Sequence, residues 1–437
     1  SSLLFARIAV VAVLGVGCSA QVSSQSSGTT TTGDPVPATS PGGTDRRTSP
    51  PLPERCPGDA IGPGTEIDLW HALEGFYGDE LEAIVRDIAA QRPGLMVRIS
   101  RFPSKDSLLE ELQRADTDAA PDLVLLSEHR LRSFVDSGRF VAAQDCAAAA
   151  ASDLPEQLLP AVRQVWSRDG LLRGVPFNVA SPLVFENREL FARAATEVPR
   201  TQGEFAERLR KVVDAGGKSG MVFDSNLVVW MAEIWGAQRG RPLADASGDR
   251  VDVVSTGLAD LFTWLDGLEK DGVASYIGTN PNNQSDLQDV ITKDQPAGMA
   301  VHSSSGAGGG RALIERGVLA VDDILLGPFP TVDAASATGV LVGGDGWWFP
   351  VDGNARAAYE VAALLASPAP QARLAALTGY VPATVGIESE PVMQDAWNRF
   401  PQLRVGSGWA QALTLNSPTS WLSSAARRMS SSAEACV

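Results

Sequence analysis

Between residues 174 and 191 the chain reads GVPFNVASPLVFENRELF. An apolar run at 174–177 meets a polar centre at 178–182. A second apolar run at 183–185 follows, and a helix is predicted over 186–191. Pro182 cannot donate to a sheet ladder, and Asn178, Ala180 and Ser181 are short, so the centre predicts a hinge crossing from one lobe to another. An ordinary buried strand followed by a loop fits the same pattern.

Before this run, residues 66–72 and 95–99 read as strands, and residues 122–126 (DLVLL) as a continuously apolar strand buried on both faces. Helical spacing of Leu81, Ile84, Val85 and Ile88 predicts a helix over 80–92, stopped by Pro93-Gly94. A second helix is predicted over 105–115. This alternation is the start of a doubly wound α/β lobe with a mainly parallel sheet. Helices are further expected at 133–140 and 158–165. After the hinge, helices are expected at 204–215, 226–235, 256–270 and 310–316. Strands are expected at 220–223, 295–301, 324–329 and 339–342. The fold class is therefore α/β, with two lobes, each a mainly parallel sheet flanked by helices, and a cleft between them. The expected lobes are residues 64–178 with 317–349, and 183–312 with 352–437.

The chain has 437 residues, too many for one core, and 44% are apolar. Lys and Arg number 36 against 52 Asp and Glu, a net charge of −16. That balance repels nucleic acid and anionic lipid surfaces. Arg7, the short apolar run 8–16 and small residues before Cys18 read as a leader, with residues 1–18 resembling a bacterial lipoprotein signal and Cys18 as the lipidated residue. Residues 19–60 are rich in Ser, Thr, Gly and Pro, as in a solvated tether. Cys56, Cys146 and Cys436 remain, and outside the cytosol one pair should oxidise. Cys56 with Cys146 is the expected bridge, since both fall in the first lobe.

His71, His129 and His302 lack metal-ligand spacing, and no nucleophile elbow or phosphate-cradling loop is present. A carboxylate pair could be assembled from so many acids, so a secreted glycoside hydrolase stays open. Positive signals come from loops after apolar strands, where doubly wound sheets bind ligands. They are Trp70 to Glu74, Phe102, Ser127-Glu128, Asn178 to Ser181, Ser303 to Ser305, residues 343–348 and Tyr380. Core and capping roles compete at each of these positions.

The ordered motifs LWHALEG, PDLVLLSE, GVPFNVASPLVFENRELF, AGMAVHSSSG, LVGGDGWWF and TGYVPAT resemble the extracellular solute-binding proteins of carbohydrate-type ABC importers. Within them the likeness is greatest to the glycerol-3-phosphate and glycerophosphodiester binders. The resemblance implies two α/β lobes that close over a ligand and present it to a permease. Carried over motif by motif, it implies ligand contacts at Glu128, Ser181, Ser303, Ser304, Gly343, Gly344 and Tyr380. Trp70, Glu74, Asn178 and Trp347 join them as polar or stacking groups. Phe102 stands where the family has a hydroxylated aromatic. The family's arginine falls by spacing on Ala396, with Arg399 the nearest candidate. Asp345, beside the glycines, would repel a phosphate. The expected partners are a small polyol or sugar ligand and ABC permease membrane subunits. No nucleic acid, cofactor or metal is expected, the membrane is met only through the lipid anchor, and the chain is expected to be a monomer. A sensor lipoprotein with no transport role is the other alternative.

Overall fold

The computed structural model describes residues 55–404, except 116–118, 240, 242–257, 279–284, 292–293 and 333–340. Cys18, the leader, most of the tether and Cys436 lie outside the described residues. The described strands are β1 (Thr65–His71), β2 (Leu95–Arg101), β3 (Leu123–Ser127), β4 (Phe140–Val141), β5 (Ser167–Arg168), β6 (Leu171–Leu172), β7 (Val175–Ala180), β8 (Pro182–Asn187), β9 (Ser219–Phe223), β10 (Ala274–Tyr276), β11 (Ala297–Ser303), β12 (Ile324–Gly327) and β13 (Gly343–Pro350).

The first sheet runs β2-β1-β3-β13-β4, with β7 also paired to β13. β1 is parallel to β2 and β3, while β13 is antiparallel to β3, β4 and β7. β3 is buried at four consecutive residues because both faces are covered. The second sheet runs β10-β9-β11-β8-β12, with β9 parallel to β10 and β11 and with β8 antiparallel to β11 and β12.

The crossover is tighter than the sequence predicts. β7 belongs to the first sheet and β8 to the second, with only Ser181 between them. Pro182 opens β8, where a missing N–H is tolerated, and Pro176 faces Gly346 beside the register shift between Asp345 and Gly346. Asn178 is part of β7 rather than of a kink, because it pairs with Asp345 across the sheet. The following helix is Arg188–Arg193, not residues 186–191, since the Asn187 side chain accepts from Leu190 N and fixes the start there.

Three further expectations change. The strand expected at 339–342 begins instead at Gly343, and the stretch 343–348 is a strand, not a loop; residues 339–340 lie outside the described residues. Trp347 and Trp348 are fully buried, on opposite sides of the sheet in two different apolar clusters. The helix expected at 133–140 is Leu131–Ser137, ended by Gly138 in the left-handed region (φ 67°), and Phe140 passes into β4.

The lobe boundaries also shift. β12 pairs with β8, which puts residues 324–327 in the second sheet rather than the first. Helix Ala355–Leu365 packs on the first sheet instead of the second, its Ala357, Ala358, Tyr359 and Val361 sharing a cluster with Ile67, Leu69 and Trp347. Small alanines let that helix lie close to the sheet. Helix Pro368–Thr378 lies between the lobes, touching helix Gly306–Glu315 on one side and helix Gly75–Ala90 on the other. Cys56 and Cys146 form a disulfide that ties the first described turn to helix Ala143–Ala150. Closing a loop with a sequence separation of 90 restricts the unfolded chain by about 4–5 kcal/mol.

Candidate ligand cleft

The carboxyl ends of parallel strands from both sheets open into one cavity of about 670 Å³. From the first sheet come residues 72–74 after β1 and Ser127, His129 and Arg130 after β3. Asn178, Ala180, Gly344 and Asp345 come from β7 and β13. From the second come Asp224 after β9 and His302, Ser303 and Ser305 at the end of β11. Tyr77, Lys105 and Tyr380 close the wall.

Asp345 is the polar centre. Its carboxylate is buried and receives a hydrogen bond from Lys105 Nζ at 2.6 Å and one from Asn178 Nδ2 at 3.1 Å. Desolvation pulls the Lys105 ammonium pKa down, but Asp345, with Glu128 and Glu74 farther off, more than offsets this and the net direction is up. The lysine stays charged, and it neutralises the carboxylate that would otherwise repel an anion. Burial raises the Tyr380 phenol, Asp345 raises it further, and the Asn178 amide works against both. The phenol therefore stays protonated and can donate.

Glycines set how closely the backbone approaches. Gly344 adopts φ 140°, its N–H donates to Glu128 Oε2 at 2.9 Å, and a Cβ there would lie 2.2 Å from Asn178 O. A Cβ at Gly343 would lie 2.5 Å from Glu128 Oε1. Glu128 is thus buried behind the wall, holding β13 rather than facing the cavity. Ser304 has the same kind of role: it is fully buried, its N–H donates to Ser181 O at 2.8 Å, and its hydroxyl accepts from Ser181 N at 3.3 Å. Those two bonds fix the hinge between β7 and β8. The Ser181 hydroxyl is itself buried without a hydrogen-bond partner.

Among the sequence-based candidates, Glu74, Asn178, Ser303, Gly344, Asp345 and Tyr380 meet at the cavity. Glu128, Ser181, Ser304 and Gly343 lie behind it. The rings of Trp70 and Phe102 lie 5.0 Å apart, tilted by 49° to one another, beside a first-lobe apolar cluster. Trp347 is core, with its ring 5.2 Å from Phe177, because the register shift after Asp345 breaks the alternation that would have put both on one face. Arg399 is on the exposed side of helix Pro391–Arg399, bonded to Asp395 at 2.6 Å, so it offers no ligand-facing cation.

Sequence reasoning missed Tyr77, Lys105, His129, Arg130 and Asp224. Tyr77 is an inter-lobe contact: its hydroxyl donates to Ser305 O at 3.0 Å and its ring lies 5.6 Å from that of Tyr380. Asp224 could have been found, since it directly follows an apolar parallel strand, the rule that located the other loops. Among the described residues, four carboxylates (Glu74, Asp106, Asp224 and Asp345) and two permanent cations (Lys105 and Arg130) line the cavity. Among the described residues no cluster of three or more His, Cys, Asp or Glu is placed to hold a metal ion. What the walls provide is hydrogen-bond donors and acceptors of both signs with aromatic faces, suited to a polar solute rich in hydroxyls.

Residues 83–401 match the profile of the bacterial extracellular solute-binding protein family. The sn-glycerol-3-phosphate-binding periplasmic protein UgpB of Rhizobium meliloti is 22% identical over 362 residues, covering 77% of this chain and 79% of the relative. Its counterpart in Yersinia pestis is 24% identical over 372 residues, 81% of each. Among solved structures, UgpB from Mycobacterium tuberculosis in complex with glycerophosphocholine superposes with TM-score 0.65 at 18% identity, over 86% of this chain and 100% of that one. The sugar-binding protein MalE from Xanthomonas citri superposes with TM-score 0.66 at 17% identity, over 85% and 98%.

Proposed function

The chain belongs to the bacterial extracellular solute-binding protein family, and on that premise we propose that it captures a small hydroxylated solute outside the membrane and delivers it to an ABC importer. The ligand class is a sugar, an amino sugar or a glycerophosphodiester. The observation that carries this reading is the Asp345 cluster, a buried carboxylate held by Lys105 and Asn178 on the wall of a cavity lined from both sheets. A solute that bonds Asp345 and Tyr380 on one side and Ser303 or Asp224 on the other stabilises the closed arrangement, because it touches both sheets at once. Lys105 and Arg130 make a phosphodiester acceptable, and the surplus of carboxylates favours hydroxyl or ammonium groups beside it. The named relatives are binding proteins, which supports capture without chemical turnover. Lipidation of Cys18 would hold the protein at the membrane surface as a monomer on its tether.

The test is a thermal-unfolding and calorimetric screen of residues 56–437 against glycerophosphocholine, glycerol-3-phosphate, maltose, trehalose and glucosamine. A ligand at about 100 times its dissociation constant adds about 2.7 kcal/mol and raises the midpoint by a few degrees. Asp345→Asn should weaken that ligand at least about tenfold, the loss of one charge-assisted hydrogen bond. Turnover of the bound compound would replace capture with hydrolysis, and no shift across the panel would reject the ligand class.

A further inference from the structure

Lys105 holds a position that its own helix does not explain. It is the first residue of helix Lys105–Arg114, where the exposed N–H groups disfavour positive charge and where its neighbour Asp106 carries the favoured sign. Ser104 and Ser107 cap that helix reciprocally, the Ser104 side chain accepting from Ser107 N and the Ser107 side chain from Ser104 N, both at 3.1 Å. The backbone at Lys105 is therefore fixed, and only the side chain can take different partners.

Its Nζ donates to Asp345 Oδ1, while Oδ2 of the same carboxylate accepts from Asn178 Nδ2. The two charged partners differ in exposure: the Lys105 side chain is 57% exposed and that of Asp345 4%. Asp345 cannot leave its place, because it pairs with Ser127 on one side of β13 and with Asn178 on the other. Lys105 reaches it from the cavity that both residues line, on a flexible four-carbon stem that can withdraw. This is the geometry of a bound cation, here tethered to the chain. Among the described residues Asp345 is the hydrogen-bond partner of Lys105, so two of the three ammonium N–H donors remain for a solute.

We propose that Lys105 sets the charge selectivity of the cleft: its ammonium fills a cation seat at Asp345, keeps amines out of it and turns its remaining donors to a neutral or anionic solute. The proposal rests on the cavity being the solute site. A second ammonium at Asp345 would stand within about 4–5 Å of the first, where like charges repel strongly enough to weaken an amine at least about tenfold.

Butylammonium, which is the lysine side chain without its backbone, tests the seat without knowledge of the natural solute. In thermal unfolding of the full chain at equal ionic strength, butylammonium chloride should raise the midpoint of Lys105→Ala by a few degrees over sodium chloride and leave the parent unmoved. The exposed Lys105 lies outside both apolar cores, so the variant keeps them intact. The double variant Lys105→Ala, Asp345→Asn should show no such rescue, which separates the seat from general salt effects. Equal midpoints of Lys105→Ala in the two salts would overturn the proposal, as would a rescue that survives Asp345→Asn. Glucosamine, glucose and glucuronate then present one kind of pyranose ring with positive, zero and negative charge. By calorimetry the ratio of glucosamine to glucuronate affinity should rise at least about tenfold from the parent to Lys105→Gln, and an unchanged ratio would overturn the proposal. Failure of all three sugars to bind either protein would count against the solute reading, with the butylammonium result still deciding whether Lys105 fills a cation seat.

Discussion

His71 ends β1 at the edge of the ligand cleft and is fully buried. Its Nδ1 accepts from Leu73 N at 3.2 Å, so the ring fixes the loop 72–74 that lines the cavity. Its Nε2 lies 3.5 Å from Glu82. Burial is the largest influence on its pKa; Glu82 opposes it, nearby Arg101 reinforces it, and the value falls to about 4. A histidine whose folded pKa is below its unfolded value of 6.5 contributes stability that is complete above about pH 6.5 and lost as pH falls toward 4. Integrating proton uptake between those two values gives a loss of about 2 kcal/mol by pH 5 and about 3 kcal/mol by pH 4. Protonation also turns Nδ1 into a donor facing the Leu73 N–H, which releases the loop. His71→Asn keeps an acceptor that can reach Leu73 N and does not titrate. Urea unfolding of parent and variant at pH 7, 6, 5 and 4 isolates this one group, because every other titration is common to both chains. The variant should be less stable at pH 7, through lost volume, and the difference should shrink or reverse by pH 5. Parallel profiles from pH 7 to 4 would refute the assignment.

Glu233, on helix Ser225–Gln238, acts in the opposite direction: its two carboxyl oxygens are buried without hydrogen-bond partners, and desolvation, then the Glu128 charge, raise its pKa well above the ordinary 4.5. Its folded state binds the extra proton, so its contribution is complete below about pH 4.5 and is lost as pH rises through the raised value; Glu233→Gln should flatten that part of the stability profile between pH 5 and 7, and an unchanged slope would exclude it. Gly344→Ala should cost about 2–4 kcal/mol and remove ligand binding, since φ 140° and a contact of 2.2 Å to Asn178 O act together. Gly138→Ala, at φ 67° with no atom within 4 Å of the added Cβ, should cost only about 1 kcal/mol in the same denaturant titration.

How far the sequence could be read depended on whether a feature is local. The crossover was legible because a change of sheet needs two apolar runs with short polar residues between them, and residues 174–191 carry that order in one stretch. The strand β3 was legible for the same reason, as burial on both faces leaves no polar position to interrupt DLVLL. β13 was not: Gly343-Gly344-Asp345-Gly346 has little strand propensity, and the segment becomes extended because β3 and β7 supply ladders on both sides. Lys105 and Asp345 lie 240 residues apart, so nothing along the chain announces that the carboxylate is neutralised or that the argument against an anionic ligand loses its force. Arg399 shows the converse hazard. Spacing brought it near the family's arginine, but the geometry of helix Pro391–Arg399 turns its side chain toward Asp395 and Glu315 at the surface. Among the described residues the permanent cations on the cavity wall are Lys105 and Arg130 of the first lobe, so an anionic ligand is expected to lie with its charged end against that lobe and its hydroxyls toward Ser303 and Asp224 of the second.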